Sequence, residues 1–140
     1  MASNYLYSTR DQKFILKEWL DLSKVFEAGR FKGGYSVDDI DSILENAHKI
    51  AKEVIAPTND DGDNIHAQYK DGTVTVPESF KKGYWTIQEN GLGSSNGDHT
   101  DPSSMPLCVM GATNELLAAA NAALGPYAMA TTGSAGLIRD

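Results

Sequence analysis

Apolar residues recur at helical spacing near the start of the chain and predict a first helix over Arg10–Phe26. They lie three and four positions apart, as on one face of an amphipathic helix. The members of this face are Ile15, Leu16, Trp19, Leu20, Leu22 and Phe26. Gly29, Gly33 and Gly34 follow, and they end the helix because glycine is unfavourable inside one.

The second apolar stripe is the most regular in the chain and predicts a helix that begins at Ser36. Ser36 is expected to be the N-cap, and Asp39, three residues later, supplies the acid of a capping box. The stripe comprises Ile40, Ile43, Leu44, Ala47, Ile50, Ala51, Val54 and Ile55. Pro57 is expected to end or kink this helix, because proline removes a backbone donor and clashes with the preceding turn.

The helical pattern is lost after Pro57. Asn59–Asn64 and the residues that follow are expected to be non-helical. Asp71-Gly72 is a strong two-residue turn signal, and a β-branched run, Thr73–Val76, comes directly after it. We therefore expect a small hairpin or extended loop over Tyr69–Val76.

Helical spacing returns at Pro77–Asn90, which predicts a third helix. Phe80, Tyr84 and Ile87 lie on one side of it. Gly91 is expected to cap its C-terminal end, because glycine adopts the left-handed backbone conformation at little cost. The residues from Gly93 to Pro106 then form a long polar loop.

The last part of the chain is apolar on every side. Between positions 102 and 138 the only charged residue is Glu115. Helices are predicted near Met105–Leu124 and Pro126–Ile138, with Gly125-Pro126 as the joint between them. A helix that is apolar all round must be covered all round. The earlier helices can cover one side, so the other side is expected to face a membrane, a partner protein or further domains.

These elements predict an all-α bundle of about five helices with a small β-hairpin excursion. The chain has 140 residues, enough for one domain with its own core. Its formal net charge of -7 disfavours non-specific binding to nucleic acid, which depends on basic side chains. Cys108 is the only cysteine, which excludes an internal disulfide and fits a cytoplasmic location.

Membrane and secretion signals are weak in this sequence. The N-terminal residues are polar and contain no apolar stretch of the kind a secretory signal requires. The best candidate for a membrane span, Leu116–Ala130, falls short of the roughly 20 apolar residues that a span needs. A buried helix is the favoured interpretation of this segment, and we expect no membrane partner.

The residue types that bind metals do not form a convincing site. The run Asp60, Asp61 and Asp63 invites a calcium loop, but that pattern places Pro57 at its first ligand position and Gln68 at its last. The histidines are scattered, whereas zinc requires clustered ligands. We therefore expect no metal and assign no metal ligand.

Catalytic motifs are also missing. Cys108 lies in an apolar context typical of a buried, inert thiol. Ser134 lacks the Gly-x-Ser-x-Gly pattern of a nucleophile elbow. The glycines at 91, 93 and 97 miss the dinucleotide fingerprint, which needs a strand before it and a different spacing. The residues alone therefore define no catalytic group in this chain.

Four segments, in order, carry a resemblance to a known family. They are Ser8–Leu20, Asp38–Asp63, Asp71–Gly91 and Asn114–Ile138. Together they resemble the N-terminal helical domain of acyl-CoA dehydrogenases, and most closely the branch with an extra N-terminal helix that includes 3-methylmercaptopropionyl-CoA dehydrogenases. The resemblance implies an N-terminal extension helix at residues 1–35 and the helical domain at residues 36–140.

The sequence departs from the family pattern in two places. Gly91-Leu92 stands where the family usually has Gly-Trp, and Gly93–Pro106 replaces a Tyr-Gly-Gly-x-Gly loop. Substrate handling could differ as a result. Family members also continue into a β-domain with much of the FAD contact and into a C-terminal bundle with the catalytic glutamate. Neither is present, so this chain alone is expected to be inactive.

The resemblance further implies a role in substrate binding. In relatives the last helix pair contributes to the acyl pocket, and the aligned positions here are Leu124, Tyr127, Met129, Thr131 and Thr132. Core or interface packing is an equally open interpretation for each of them. In the full-length enzyme the implied reaction is α,β-dehydrogenation of an acyl-CoA thioester in fatty acid metabolism. It uses FAD and an electron-transfer acceptor, whereas no flavin is expected on this chain alone.

Two hypotheses about function follow. The first is a domain of a longer flavoenzyme, present either as a piece of that enzyme or as a natural truncated product, whose partners are the remaining dehydrogenase domains. The second is a stand-alone, non-catalytic helical interaction module that binds a partner, or itself as a homo-oligomer, through the apolar C-terminal helices. A membrane-peripheral helix hairpin is a weaker third hypothesis, because the chain has no basic face.

Overall fold

The computed structural model describes residues 7–27, 29–92 and 104–139. These residues are mostly helical, with one two-stranded sheet. The elements are α1 (Arg10–Phe14) with a π-helical turn (Ile15–Trp19), α2 (Ser23–Phe26), a 3-10 turn (Gly29–Phe31), α3 (Val37–Ile50) with a second π-helical turn (Ala51–Ile55), α4 (Thr58–Asn64), β1 (Gln68–Lys70), β2 (Thr73–Thr75), α5 (Glu78–Glu89), α6 (Leu107–Ala120) and α7 (Gly125–Arg139). The predicted helical bundle with a small hairpin is confirmed.

Helix α3 lies at the centre of the bundle and packs along α6. Its start is the predicted capping box, in which the carboxylate of Asp39 accepts hydrogen bonds from the backbone N–H and the hydroxyl of Ser36, at 2.7 and 2.6 Å. Its buried face consists of Ile40, Leu44, Ala47 and Ile50, and the π-helical turn adds Ala51 and Ile55. Helix α6 contributes Val109, Ala112, Leu116, Leu117 and Ala120 to the same core.

The predicted first helix is wrong in two respects. It is interrupted, and only part of its predicted apolar face is buried: Leu16, Leu22 and Phe26 are buried, whereas Ile15, Trp19 and Leu20 are exposed. The helix continues through a π-helical turn, in which the N–H of Leu20 bonds the carbonyl of Ile15 at 2.8 Å, and it ends before Asp21, whose φ is 49°. The extra residue in that turn rotates the following side chains away from the regular helical spacing.

Asn59–Asn64, predicted to be non-helical, belongs to α4, so this prediction is also wrong. Pro57 precedes the first turn of α4, where its missing N–H removes no helical hydrogen bond. Asp60 and Asp61 lie in that first turn, where negative charge is favourable beside the positive end of the helix. The proline therefore starts a new helix after the π-helical turn.

The predicted hairpin and third helix are confirmed. β1 and β2 pair antiparallel with Tyr69 opposite Val74, and the turn residues Asp71 and Gly72 have φ values of 50° and 82°. Both strands are exposed along their length. Helix α5 follows and ends at Glu89, and Gly91, just beyond Asn90, has a φ of 66°, the left-handed conformation expected of a glycine that caps a helix.

The two C-terminal helices are confirmed, but their joint lies earlier than predicted. Helix α6 ends at Ala120, and Asn121 takes an extended conformation with φ -155° and ψ 102°. Gly125 and Pro126 open α7 instead of separating two helices. Leu124 therefore belongs to the connecting turn. No helix in the part of the chain that the structure describes is both long and apolar enough to cross a membrane.

Candidate functional site

An apolar groove lies between the first two turns of α5 and the start of α7, and it is the candidate site. Its volume is about 220 Å³. It is lined by Val76, Phe80, Lys81, Tyr84, Trp85, Leu124 and Tyr127. The wall is almost entirely apolar or aromatic, as in sites that bind small apolar ligands. Trp85 and Tyr127 are 60% and 47% exposed, so the groove opens to the surface.

A second chamber continues the groove toward α4. Its volume is about 190 Å³. It is lined by Gly62, His66, Ala67, Val76, Pro77, Phe80, Ala123 and Tyr127. Val76, Phe80 and Tyr127 line both chambers. The ring of Tyr127 stands edge-on to that of Phe80, with 6.2 Å between the centroids and 80° between the planes. These two rings therefore lie at the boundary between the chambers.

Two glycines let large side chains reach the groove. A Cβ atom at Gly83 would lie 2.6 Å from Cδ2 of Leu124 and 3.4 Å from Cδ1 of Ile55. A Cβ atom at Gly62 would lie 2.9 Å from Cζ of Phe80. Real Cβ atoms are not found at such short distances, so these side chains occupy space that only glycine leaves free. The groove floor therefore depends on both glycines.

The turn that carries Leu124 is held by buried polar groups. Nδ2 of Asn121, a residue only 1% exposed, donates a hydrogen bond to Oγ1 of Thr58 at 2.7 Å. Oδ1 of Asn121 accepts hydrogen bonds from the N–H groups of Ala123 and Leu124 at 2.9 and 3.2 Å. The hydroxyl of Thr58 donates to the carbonyl of Ile55 at 2.6 Å. The α6–α7 turn is thus fixed to the end of the second π-helical turn.

Charge plays little part in the groove. Among its described lining residues the single cationic side chain is Lys81, which pairs with Glu78 at 2.7 Å. The main ionic cluster lies elsewhere, where Lys13 and Lys17 contact Asp41. The hydrogen bond from Lys17, with that from Lys13, holds the pKa of Asp41 below its usual range. The described lining of the groove is therefore suited to binding an apolar ligand.

The substrate-binding role predicted for Leu124, Tyr127, Met129, Thr131 and Thr132 stays a prediction, and the structure places only two of these side chains. Leu124 and Tyr127 lie together in the groove wall. Met129, Thr131 and Thr132 lie on α7, but their side chains are outside the described residues, as is most of the predicted Gly93–Pro106 loop. Within the described ranges, no group of three or more His, Cys, Asp or Glu side chains is placed to hold a metal ion.

Sequence reasoning missed three of the wall residues. Val76 was expected in the hairpin, and Lys81 and Trp85 were assigned no role. Phe80 and Tyr84 are predicted to share one side of the third helix, and both line the groove. One signal in the sequence indicates such a surface. Helix α5 carries aromatic residues at 80, 84 and 85, and a single stripe facing the core does not need all three.

No family model matches the chain. It is similar to two butyryl-CoA dehydrogenases of Syntrophomonas wolfei subsp. wolfei (strain DSM 2245B / Goettingen). One is 39% identical over 107 residues, which cover 74% of this chain, and the other is 41% identical over 108 residues, which cover 75% of it. The aligned region is 18% of the length of each relative. This similarity supports the resemblance to acyl-CoA dehydrogenases.

Proposed function

We propose that this chain is the N-terminal helical domain of a flavin-dependent acyl-CoA dehydrogenase. In this proposal residues 1–35 are an N-terminal extension and residues 36–140 are the domain proper. The branch that includes 3-methylmercaptopropionyl-CoA dehydrogenases is the proposed position within the family. The supporting observation is the similarity to two butyryl-CoA dehydrogenases over about three quarters of the chain.

The proposed role is to supply one wall of the acyl pocket. An acyl chain is apolar, and the groove between α5 and α7 presents apolar and aromatic side chains to whatever enters it. Burial of such a chain is favourable by about 0.8 kcal/mol for each methylene. Leu124 and Tyr127 would contact the chain, and the surrounding aromatic rings would exclude water from it.

A second proposed role is to pack against the remaining domains. Leu137 and Ile138, near the end of α7, are 84% and 87% exposed. Apolar residues this exposed, next to each other in the chain, are suited to an interface. We assign that interface to the dehydrogenase domains of a longer protein, with a homo-oligomer through the same helices as the alternative.

FAD, which the family implies, does not fit the described residues of this chain by themselves. A flavin dinucleotide needs donors for its pyrophosphate, whereas the groove offers a single cationic side chain, Lys81, already paired with Glu78. The ionisable side chains in the described lining of the two chambers are Lys81, Tyr84, Tyr127 and His66, and this lining includes no carboxylate that could remove a substrate proton. We therefore assign FAD, proton removal and the electron-transfer acceptor to other parts of the proposed enzyme.

The native mass of the gene product tests this proposal. An antibody raised against this chain is used to probe extracts of its source, and the reacting band is purified. We expect a band several times heavier than 15.1 kDa that carries flavin absorbance and oxidises butyryl-CoA with an artificial electron acceptor. A band at 15.1 kDa without flavin would overturn the proposal and favour the stand-alone interaction module.

A further inference from the structure

The division of the groove into two chambers gives Tyr127 a specific position. Each chamber has its own lining, and the shared members are Val76, Phe80 and Tyr127. Phe80 is 6% exposed and packs closely over Gly62, whereas Tyr127 is 47% exposed. Phe80 is therefore a fixed part of the wall. Tyr127 is the other aromatic side chain that lines both chambers, and part of it faces solvent.

The chamber volumes set the size of a ligand. An apolar protein cavity of about 150 Å³ holds a benzene molecule, which has six carbons. The chambers of about 220 and 190 Å³ are each somewhat larger than that and open to solvent. One chamber therefore accommodates a short aliphatic chain, and the two joined together accommodate a chain about twice as long.

We infer that Tyr127 limits the length of the acyl chain that this groove accepts, by separating the chamber at α5 from the chamber at α4. The inference rests on the proposed function and adds a residue that determines specificity. A butyryl-sized chain fits in the first chamber beside Trp85. An octanoyl-sized chain meets the Tyr127 ring, and its far end remains in water. Removing the ring joins the chambers and gives the longer chain an apolar surface to cover.

The test uses the whole chain and two simple probes, the butyryl and octanoyl thioesters of N-acetylcysteamine. Trp85 lines the groove and reports binding by its fluorescence once the other tryptophan is removed by Trp19→Phe. Affinities are measured for this background and for Tyr127→Ala, Tyr127→Leu and Tyr127→Phe. Tyr69→Ala is the matched control, because Tyr69 is 75% exposed on the hairpin and lines neither chamber.

We expect Tyr127→Ala to raise the ratio of octanoyl to butyryl affinity about tenfold or more, since each newly buried methylene increases affinity several-fold. Tyr127→Leu should raise it less, and Tyr127→Phe and Tyr69→Ala should leave it unchanged. Circular dichroism verifies that each variant is folded, and Tyr127→Leu takes the place of Tyr127→Ala if that chain does not fold.

Two results would overturn the inference. If both thioesters bind, and the ratio of octanoyl to butyryl affinity is the same in the folded Tyr127 variants as in the Trp19→Phe background, then Tyr127 does not limit chain length. The proposed role of the groove as an acyl wall would still stand in that case. If neither thioester changes the Trp85 signal in the background chain, the two chambers do not bind an acyl chain without the remaining domains, and the inference about Tyr127 fails. The domain assignment is judged separately, by the native mass and flavin content of the gene product.

Discussion

Asn121 and Thr58, far apart in the sequence, are joined by a hydrogen bond of 2.7 Å inside the protein. Both residues are buried, at 1% and 4% exposure. Asn121 interrupts an otherwise apolar segment, and the structure shows why a polar residue is needed there. It satisfies backbone N–H groups in the α6–α7 turn and ties that turn to the start of α4. Buried polar groups that are fully paired in this way favour one arrangement of the chain.

Replacement of Asn121 by Ala should be strongly destabilising. It leaves the N–H groups of Ala123 and Leu124 and the hydroxyl of Thr58 without this buried partner. We expect a loss of about 2–4 kcal/mol in the free energy of unfolding. Urea unfolding followed by circular dichroism measures it. The control is Asn46→Ala, which removes an exposed side chain that bonds Asn90 at 3.3 Å and should cost about 0.5 kcal/mol or less.

A double-mutant cycle isolates the bond itself. Thr58→Val keeps the shape of the side chain but removes the hydroxyl that accepts from Asn121. We expect the two single changes to be non-additive by about 1 kcal/mol. Strict additivity would mean that the two side chains stabilise the turn independently.

Gly83→Ala should narrow the groove and destabilise the fold, although alanine is the better helix former. The added methyl group would overlap Cδ2 of Leu124, which is buried and has little room to move. We expect a net loss of about 1–2 kcal/mol, since overpacking outweighs the helix propensity gain of about 1 kcal/mol.

Gly111→Ala is the matched control for this change. Gly111 lies inside α6, and a Cβ atom there would meet nothing within 4 Å. The same substitution should therefore increase stability by about 0.5–1 kcal/mol. If both variants shift the urea midpoint in the same direction, the Gly83–Leu124 contact is not the determining factor.

The lysines on the first helical segment should stabilise the protein in a pH-dependent way. The hydrogen bond from Lys17, with that from Lys13, lowers the pKa of Asp41. A carboxylate with a lowered folded-state pKa contributes stability above its unfolded pKa, near 4, and loses it as the pH falls through the folded value. Asp41→Asn should therefore cost about 0.5–1 kcal/mol at pH 7, a value reduced by solvent exposure, and much less at pH 2.

The measurement compares urea midpoints of the wild type and Asp41→Asn at pH 7 and pH 2. Asp63→Asn is the control, because it removes the same charge from an exposed carboxylate outside the lysine cluster. A difference between wild type and Asp41→Asn that is equally large at both pH values would contradict the ion-pair origin.

Glu115 should hold the N-terminal segment on the bundle. Its carboxylate accepts hydrogen bonds from the hydroxyl of Tyr7 and from Nε2 of Gln12, the latter at 3.1 Å. Nε2 of Gln12 also donates to the carbonyl of Ala112 at 2.9 Å. Glu115→Ala removes two contacts of the segment at once, so local opening of residues 7–20 becomes more frequent.

Limited proteolysis tests this prediction. We expect cleavage within residues 7–20 to be about threefold to tenfold faster in Glu115→Ala, while global stability falls by about 1–2 kcal/mol. Glu89→Ala, an exposed glutamate at the end of α5, is the control. Equal cleavage rates in the two variants would show that the segment is held by its apolar contacts alone.

Local signals in the sequence predicted those elements whose cause is local. The capping box of Ser36 and Asp39, the Asp71-Gly72 turn and the glycine cap at Gly91 each act over a few residues, and each was found. The core face of α3 was also found, since one regular stripe explains it.

The features that depend on distant contacts could not be predicted in the same way. The π-helical turn at Ile15–Trp19 shifts the spacing on which a helical face is recognised. The groove combines α5 with the turn before α7, and nothing in either segment alone shows that Gly83 faces Leu124. The family resemblance predicts that Leu124 and Tyr127 line a pocket. Only the three-dimensional arrangement shows that Trp85 lines the groove with them.

The two glycines beneath the groove have a consequence for how its size could change over time. Gly62 and Gly83 leave the space that Phe80 and Leu124 occupy, and Gly83 does so without lining either chamber. A single base change that turns either glycine into alanine would move a wall inward by about the size of one methyl group. Divergence in ligand size can therefore begin at a position such as Gly83, which a comparison of the residues that line the groove would overlook.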